Sequence, residues 1–313
     1  MKIKCKEIAL AFALVFVIPW IVFCLAPKGE QQKAATAERT VPVLTEQGLV
    51  TMDIDSYLTG VLLRELPGDF HMQAKMAQAV VARTYTLRTV QMKDKHPQNA
   101  VCTDSACCQG YLSTEEYLSM GGARAVVEEA QQAVENTKDW VLIYDGQLID
   151  ATYFSCSGGR TEDALAVWGA DIPYLQSVES PGEEYAGHYR DAVTFSKAQL
   201  QQALGIILKG ESSQWFGQTV YTQGEGVESM YIGGKRFSGT TLRSALGLRS
   251  TAFSVEVNGD EIVFTTKGFG HRVGMSQYGA DAMANEGSTW EEILCHFYTD
   301  VELRDIDKNP ILG

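Results

Sequence analysis

Positive charge is short in this chain relative to negative: its 313 residues carry 26 Lys and Arg against 39 Asp and Glu, a formal net charge of −13. Binding a polyanion is driven by phosphate neutralisation and counterion release, so this balance argues against a nucleic-acid partner and leaves neutral or polysaccharide substrates. The chain has no internal repeat and no coiled-coil heptad, which excludes solenoids and helical zippers. Strand and helix periods are intermixed without the βαβ alternation of a parallel-sheet protein, so the expected class is α+β: mixed helices and antiparallel hairpins around one catalytic cleft. An HExxH helix is also missing, and with it the familiar open zinc site of a hydrolase.

The stretch Ile8 to Ala26 is apolar and about as long as a bilayer core requires, with Lys2, Lys4 and Lys6 before it. Residues 1–7 are therefore expected in the cytoplasm and 8–26 as a single-pass membrane anchor. A cleaved signal peptide is the competing reading, but no small-x-small site follows cleanly, and Phe23 before Cys24 is a poor lipoprotein context. Residues 27–40 begin polar, small and aperiodic (PKGEQQKAATAER), as a linker does, and the folded extracytoplasmic domain is expected over 41–313.

A short strand from Val41 should feed a helix over Asp53 to Leu66, with Asp53 or Asp55 as N-cap. Ile54, Tyr57, Leu58, Val61 and Leu62 recur at helical spacing, and Glu65 falls near the middle of that apolar stripe before Pro67 stops the helix. An ionised carboxylate on a buried face finds a partner, protonates, or lines a cavity where its raised pKa is used. The alternative is an end-of-helix Glu turned to solvent. An Ala-rich helix over Met72 to Val90 carries Gln78, Arg83 and Tyr85 toward a cleft; for Arg83 a solvated charge or local ion pair is equally open.

Of seven cysteines, Cys5 and Cys24 lie beside or in the apolar run, whereas Cys102, Cys107 and Cys108 crowd one loop with His96 as His-x5-Cys-x4-Cys-Cys. Four such ligands suit tetrahedral zinc in a closed, structural site, so the α+β unit is expected to carry a small zinc-bearing excursion here. A disulfide is the alternative, although the vicinal pair Cys107-Cys108 cannot close on itself without strain.

Thr114 to Asn136 carries helical spacing with a break at Gly121-Gly122, and Trp140 to Phe154 reads as a hairpin around Asp145-Gly146. Directly after it, Ser155-Cys156-Ser157-Gly158-Gly159-Arg160-Thr161 offers hydroxyls and flexible backbone at a strand exit, either for sugar hydroxyls or as an ordinary solvated loop. Trp168 and Tyr174 are candidate sugar-stacking rings or core aromatics. Helices are expected at Ser196 to Leu204 and Thr240 to Leu246, capped by Ser196 and Thr240, in a lobe against the core. A further hairpin spans Phe253 to Thr266 around Asn258-Gly259. Gly268 to Tyr278 then presents His271, Ser276, Gln277 and Tyr278 before a helix ending at Gly287, and Cys295 and His296 in a last helix, Thr289 to Tyr298, read as packing.

Four of these segments, Tyr57 to Arg88, His96 to Tyr111, Phe154 to Ser180 and Gly268 to Ala280, resemble in order the signature of the stage II sporulation protein D family. The family's catalytic acid in its Glu-Met-Pro motif falls on Glu65, with Leu66 in place of the Met. Cys107 stands where zinc-bearing members have a second His, Cys156 where Ser or Thr is usual, and Arg272 where a Gly is usual. The resemblance implies a membrane-anchored lytic transglycosylase acting on peptidoglycan in engulfment during sporulation, with a substrate cleft drawn from Arg83, Ser155, Ser157, Gly158, Arg160, His271, Ser276, Gln277 and Tyr278. It further implies glycan already stripped of stem peptides, and work alongside the stage II sporulation protein P amidase and the multispanning stage II sporulation protein M. Related domains occur in amidase enhancers, so a glycan-binding or amidase-activating module is the second reading. A single candidate carboxylate fits a lytic transglycosylase better than an ordinary glycosidase, which uses two.

Overall fold

The computed structural model describes residues 39–92, 95–259 and 261–308; the expected anchor and nearly all of the linker lie outside them. Among the described residues no helix is long and apolar enough to cross a membrane. The fold mixes helices with small, mostly antiparallel sheets.

Strands β1 (Thr40–Thr45) and β2 (Gly48–Asp53) form a hairpin where a single feeding strand was expected. The Asp53 carboxylate then accepts the Ser56 amide at 2.8 Å and starts α1 (Ile54–Glu65). Because other helices pack round it, α1 is buried across Tyr57 to Leu63 instead of along one stripe. The central helix α2 (Met72–Met92) buries Ala74, Ala77, Ala79 and Ala82, whose small side chains let its neighbours approach closely. β3 (Val101–Cys102) pairs in parallel with β1 and leads into the Cys-rich loop. α3 (Thr114–Ser119) and α4 (Arg124–Asn136) are separated at Gly121-Gly122, as expected.

β4 (Trp140–Tyr144) turns at Asp145-Gly146 into β5 (Gln147–Leu148), but the hairpin stops there. The next strand, β6 (Tyr153–Phe154), leaves the hairpin to pair in parallel with a distant strand near residue 275, and α5 (Ala164–Trp168) follows. A lobe with its own core of Leu200, Trp215, Ile232, Leu242 and Phe264 comes next. It contains β7 (Arg190–Ser196), α6 (Lys197–Leu204), β8 (Phe216–Tyr221), β9 (Val227–Ile232), β10 (Lys235–Ser238), α7 (Gly239–Leu246), β11 (Phe253–Asn258) and β12 (Glu261–Lys267). Its sheets run β10-β9-β8 and β11-β12-β7. Ser238, not Thr240, caps α7, because its hydroxyl reaches the Thr241 amide at 3.1 Å. The chain returns through β13 (Met275–Ser276), α8 (Gln277–Asn285), α9 (Trp290–Phe297) and β14 (Glu302–Asp305). The pairing of β13 with β6 sets the Ser155 segment beside the His271 segment.

Candidate active site

Glu65 is the last residue of α1, and Leu66 breaks away in extended conformation. A cleft of about 440 Å³ opens there, with Glu65 and Gln277 inside, the loop Ser105 to Cys108 and Tyr85 on one wall, and Thr152 to Ser155 with Phe269 to His271 on the other. Glu65 is the one carboxylate among the lining residues described. Burial raises its pKa, opposed only in part by the hydrogen bond that its Oε1 accepts from Gly110 N–H and by the Arg64 charge. Gly110 is needed there: a Cβ would lie 2.7 Å from both Glu65 Oε1 and Arg64 Cγ. The result is a carboxyl group that holds its proton more tightly than a free one, with one backbone donor and a place in the cleft lining.

Of the other expected substrate residues, Ser155, His271 and Gln277 line this cleft. Ser155 Oγ lies 2.7 Å from His188 Nε2. His271 Nδ1 accepts the Val273 amide at 3.1 Å, and the ring sits between Phe154 and Trp168. Burial, helped by the Arg243 charge, pushes its pKa down to about 4, so His271 is neutral at ordinary pH and a weaker base than a free imidazole. Gln277 is buried, and its Nε2 has no hydrogen-bond partner among the described residues. A buried donor left open at the edge of a cleft is suited to an acceptor on a ligand. Trp168 lies exposed beside His271, as a stacking ring would; Tyr174 instead packs on Tyr144 and accepts the Asp150 amide.

The remaining expected residues stand elsewhere. Ser157, Gly158 and Ser276 serve a buried carboxylate that sequence reasoning missed, Glu183. Its Oε2 accepts the Ser157 amide (2.8 Å), Ser157 hydroxyl (2.9 Å), Gly158 amide (2.9 Å) and Cys156 thiol (3.2 Å), and its Oε1 accepts the Ser180 and Ser276 hydroxyls, both at 2.6 Å. Those donors are consumed in holding the cleft wall together and are not free for sugar. Cys156 is accordingly a buried packing group with its thiol pKa raised, mainly by burial. Arg160 pairs with Glu179 at 3.5 Å outside the cleft, and the Tyr278 ring packs against Phe70, Tyr185 and His188. Arg272 has φ +69°, a strained position that explains why a Gly suits it. Its buried guanidinium compensates by donating to Ser157 O (2.6 Å), Arg160 O and Gly224 O (both 2.7 Å) and Glu162 Oε1 (3.2 Å). In the last helix Cys295 is exposed, and His296 Nε2 reaches Glu179 O at 2.7 Å.

Arg83 is no cleft residue. It is buried, and its guanidinium donates to Thr137 O at 2.7 Å, Val134 O at 3.1 Å and Trp140 O at 3.3 Å, closing the carbonyl end of α4 and tying it to α2. Arg83→Met should therefore cost about 2–4 kcal/mol of stability by orphaning those carbonyls, with kcat of the protein that remains folded unchanged; urea unfolding alongside kinetics checks this.

His96, Cys102, Cys107 and Cys108 converge, their ligand atoms all within 4.8 Å of one another. His96 Nε2 is 3.4 Å from Cys107 Sγ and 3.5 Å from Cys108 Sγ. A tetrahedral zinc at ordinary bond lengths sets nitrogen and sulfur about 3.5 Å apart, so the donor set fits. The sulfurs are unbridged, so each is available as a ligand once its proton is displaced. The loop holding this cluster is also the cleft wall that ends in Gly110.

A family model described as Stage II sporulation protein matches residues 45–144. Stage II sporulation protein D of Bacillus subtilis (strain 168) is 37% identical over 288 residues, covering 90% of this chain and 83% of that protein. The chain belongs to the stage II sporulation protein D family. The stage II sporulation protein D of Bacillus amyloliquefaciens is 35% identical over 287 residues, with coverage of 90% and 83%. An amidase enhancer of Bacillus subtilis (strain 168) is 27% identical over 302 residues, covering 79% of this chain but 40% of that protein. The family-model match contains Glu65 and the whole His96 to Cys108 cluster, whereas the cleft wall carrying Ser155 and His271 lies C-terminal to it.

Proposed function

We propose that this stage II sporulation protein D family member is a peptidoglycan lytic transglycosylase. It cleaves the bond between N-acetylmuramic acid and N-acetylglucosamine in bare glycan during engulfment. The observation that carries the reading is Glu65, the one carboxylate among the described cleft residues, with burial favouring its protonated form. The protonated carboxyl donates to the glycosidic oxygen as the C1–O bond breaks. The carboxylate left behind takes the proton of the muramoyl 6-hydroxyl as that oxygen bonds to C1. A 1,6-anhydro end forms, no water is consumed, and Glu65 is restored. Ser155, the Gln277 amide and Trp168 are the groups placed to hold the sugars.

Residues 8–26 anchor the chain in the membrane with the catalytic part outside, where it works beside the stage II sporulation protein P amidase and stage II sporulation protein M. A second reading, a glycan-binding or amidase-activating module with an idle Glu65, draws on the likeness to the amidase enhancer. Purified protein on bare glycan separates the two: release of shorter strands supports the first reading, and intact strands with a faster partner amidase support the second.

Zinc held by His96, Cys102, Cys107 and Cys108 has a structural role, since four protein ligands leave no position for water. Chelation or Cys102→Ser should lower Tm first. Activity should fall as a consequence, through the loop that brings Gly110 to Glu65. Metal-free protein purified under reducing conditions with unchanged Tm and turnover would remove zinc from the account.

A further inference from the structure

Beyond Tyr85 the cleft adjoins a second recess of about 370 Å³, lined by Tyr85, Arg88, Thr89, Met92, Lys95 and Asp150. Two cations meet there in a chain whose net charge is −13. Neither has a carboxylate within ion-pairing distance among the described residues. Arg88 is braced by one bond, Nη1 to Leu148 O at 2.8 Å, which leaves other donors of its fork open. Lys95 Nζ is fixed on Tyr85 Oη (2.9 Å) and Cys107 O, with one of its three donors left over. Asp150 offsets part of the charge, so two fixed cations against one acid leave room for a single negative group. Arginine's planar fork matches a carboxylate, and the recess is small and next to the cleavage cleft.

We propose that this recess binds the lactyl carboxylate of a muramoyl residue that carries no stem peptide, one subsite away from the bond cleaved. The inference rests on the glycan-cleaving reading above and gives it a source of selectivity: a stem peptide converts that carboxylate to an amide and adds bulk at the same point.

The test is a binding measurement, independent of turnover. Glu65→Gln protein is titrated by calorimetry with bare glycan strands, with the same strands after their lactyl carboxylates are coupled to methylamine, and with peptide-bearing strands. Amidation should weaken binding about tenfold or more, the scale of losing a charge-assisted hydrogen bond. Adding Arg88→Gln should weaken binding of the free carboxylate strand by a similar factor and abolish the distinction, while Arg88→Lys restores part of it. Lys95→Gln is the second variant, and circular dichroism confirms folding of each. Equal affinity for free and amidated strands overturns the proposal, as does a distinction surviving in folded protein lacking both cations. Peptide-bearing strands that bind as tightly as bare ones and depend on Arg88 would assign the site to a stem-peptide carboxylate and overturn the lactyl assignment. Wild type that binds with the expected selectivity yet cleaves nothing would sink the transglycosylase reading and leave the subsite standing.

Discussion

Glu65→Gln should reduce turnover on bare glycan by about 10²–10⁴-fold, the range typical of a lost general acid, while glycan binding persists. Gln keeps the size of the side chain and can still accept from Gly110 N–H, but it cannot give a proton to the leaving oxygen. The pH dependence follows from the direction of the shift. Burial raises the folded-state pKa of Glu65, and the proposed mechanism needs the protonated form, so the rate should fall as pH rises through that value. The same shift governs stability. The folded state holds this proton more tightly than the unfolded chain does, so the group's stabilising contribution is full below the unfolded pKa and is lost as pH rises through the folded one. Gln removes that loss, and Glu65→Gln should melt at or above the wild-type Tm at neutral pH. Tm measured across pH for both proteins checks the sign.

Glu183→Ala is expected to have the largest effect on the fold. It strips the acceptor from the Ser157 and Gly158 amides and from the Ser157, Ser180 and Ser276 hydroxyls in a fully buried site. Removing one partner of a buried charged network costs about 3–5 kcal/mol, roughly 10 °C in a domain of this size. Glu183→Gln should be milder, because it keeps one acceptor oxygen but turns an amide NH2 toward groups that are themselves donors. Activity should fall with the fold, since the Ser155 wall hangs from these bonds. Thermal melts followed by near-ultraviolet circular dichroism measure both variants; an unchanged Tm for Glu183→Ala would contradict the role given to Glu183.

Elements fixed by local chemistry were legible in the sequence. The Asp53 cap, the stop after Glu65, the break at Gly121-Gly122 and the turns at Asp145-Gly146 and Asn258-Gly259 all stand where expected. The His96 to Cys108 spacing likewise anticipated a cluster that could hold a metal. What failed depended on partners far along the chain. β6 left its hairpin because residues 275–276 offer it a parallel partner, which no local pattern could reveal. Arg83 reads equally as a cleft cation, a solvated charge or a local ion pair until Val134 and the cap Thr137 of α4 and Trp140 of β4 supply carbonyls to bury it against, with Asp55 3.9 Å away as its ion-pair partner. The serines and glycines of the two cleft segments looked like sugar donors, but Ser157, Gly158 and Ser276 are satisfied by Glu183, one of several acids in a polar stretch that nothing local distinguishes. The signal available was an excess of hydroxyl and amide donors in both segments without an acceptor among them.

The central claim is that Glu65 alone, acting as acid and then base, turns a glycosidic bond between two sugars into a 1,6-anhydro bond within one. A mass spectrum of the products from defined bare glycan incubated with wild type and with Glu65→Gln tests this most directly. The account predicts wild-type fragments ending in 1,6-anhydromuramoyl residues, each lighter by one water than the hydrolysis product, and essentially none from Glu65→Gln. Fragments with reducing, hydrated ends, or the same anhydro products at an undiminished rate from folded Glu65→Gln, would contradict it.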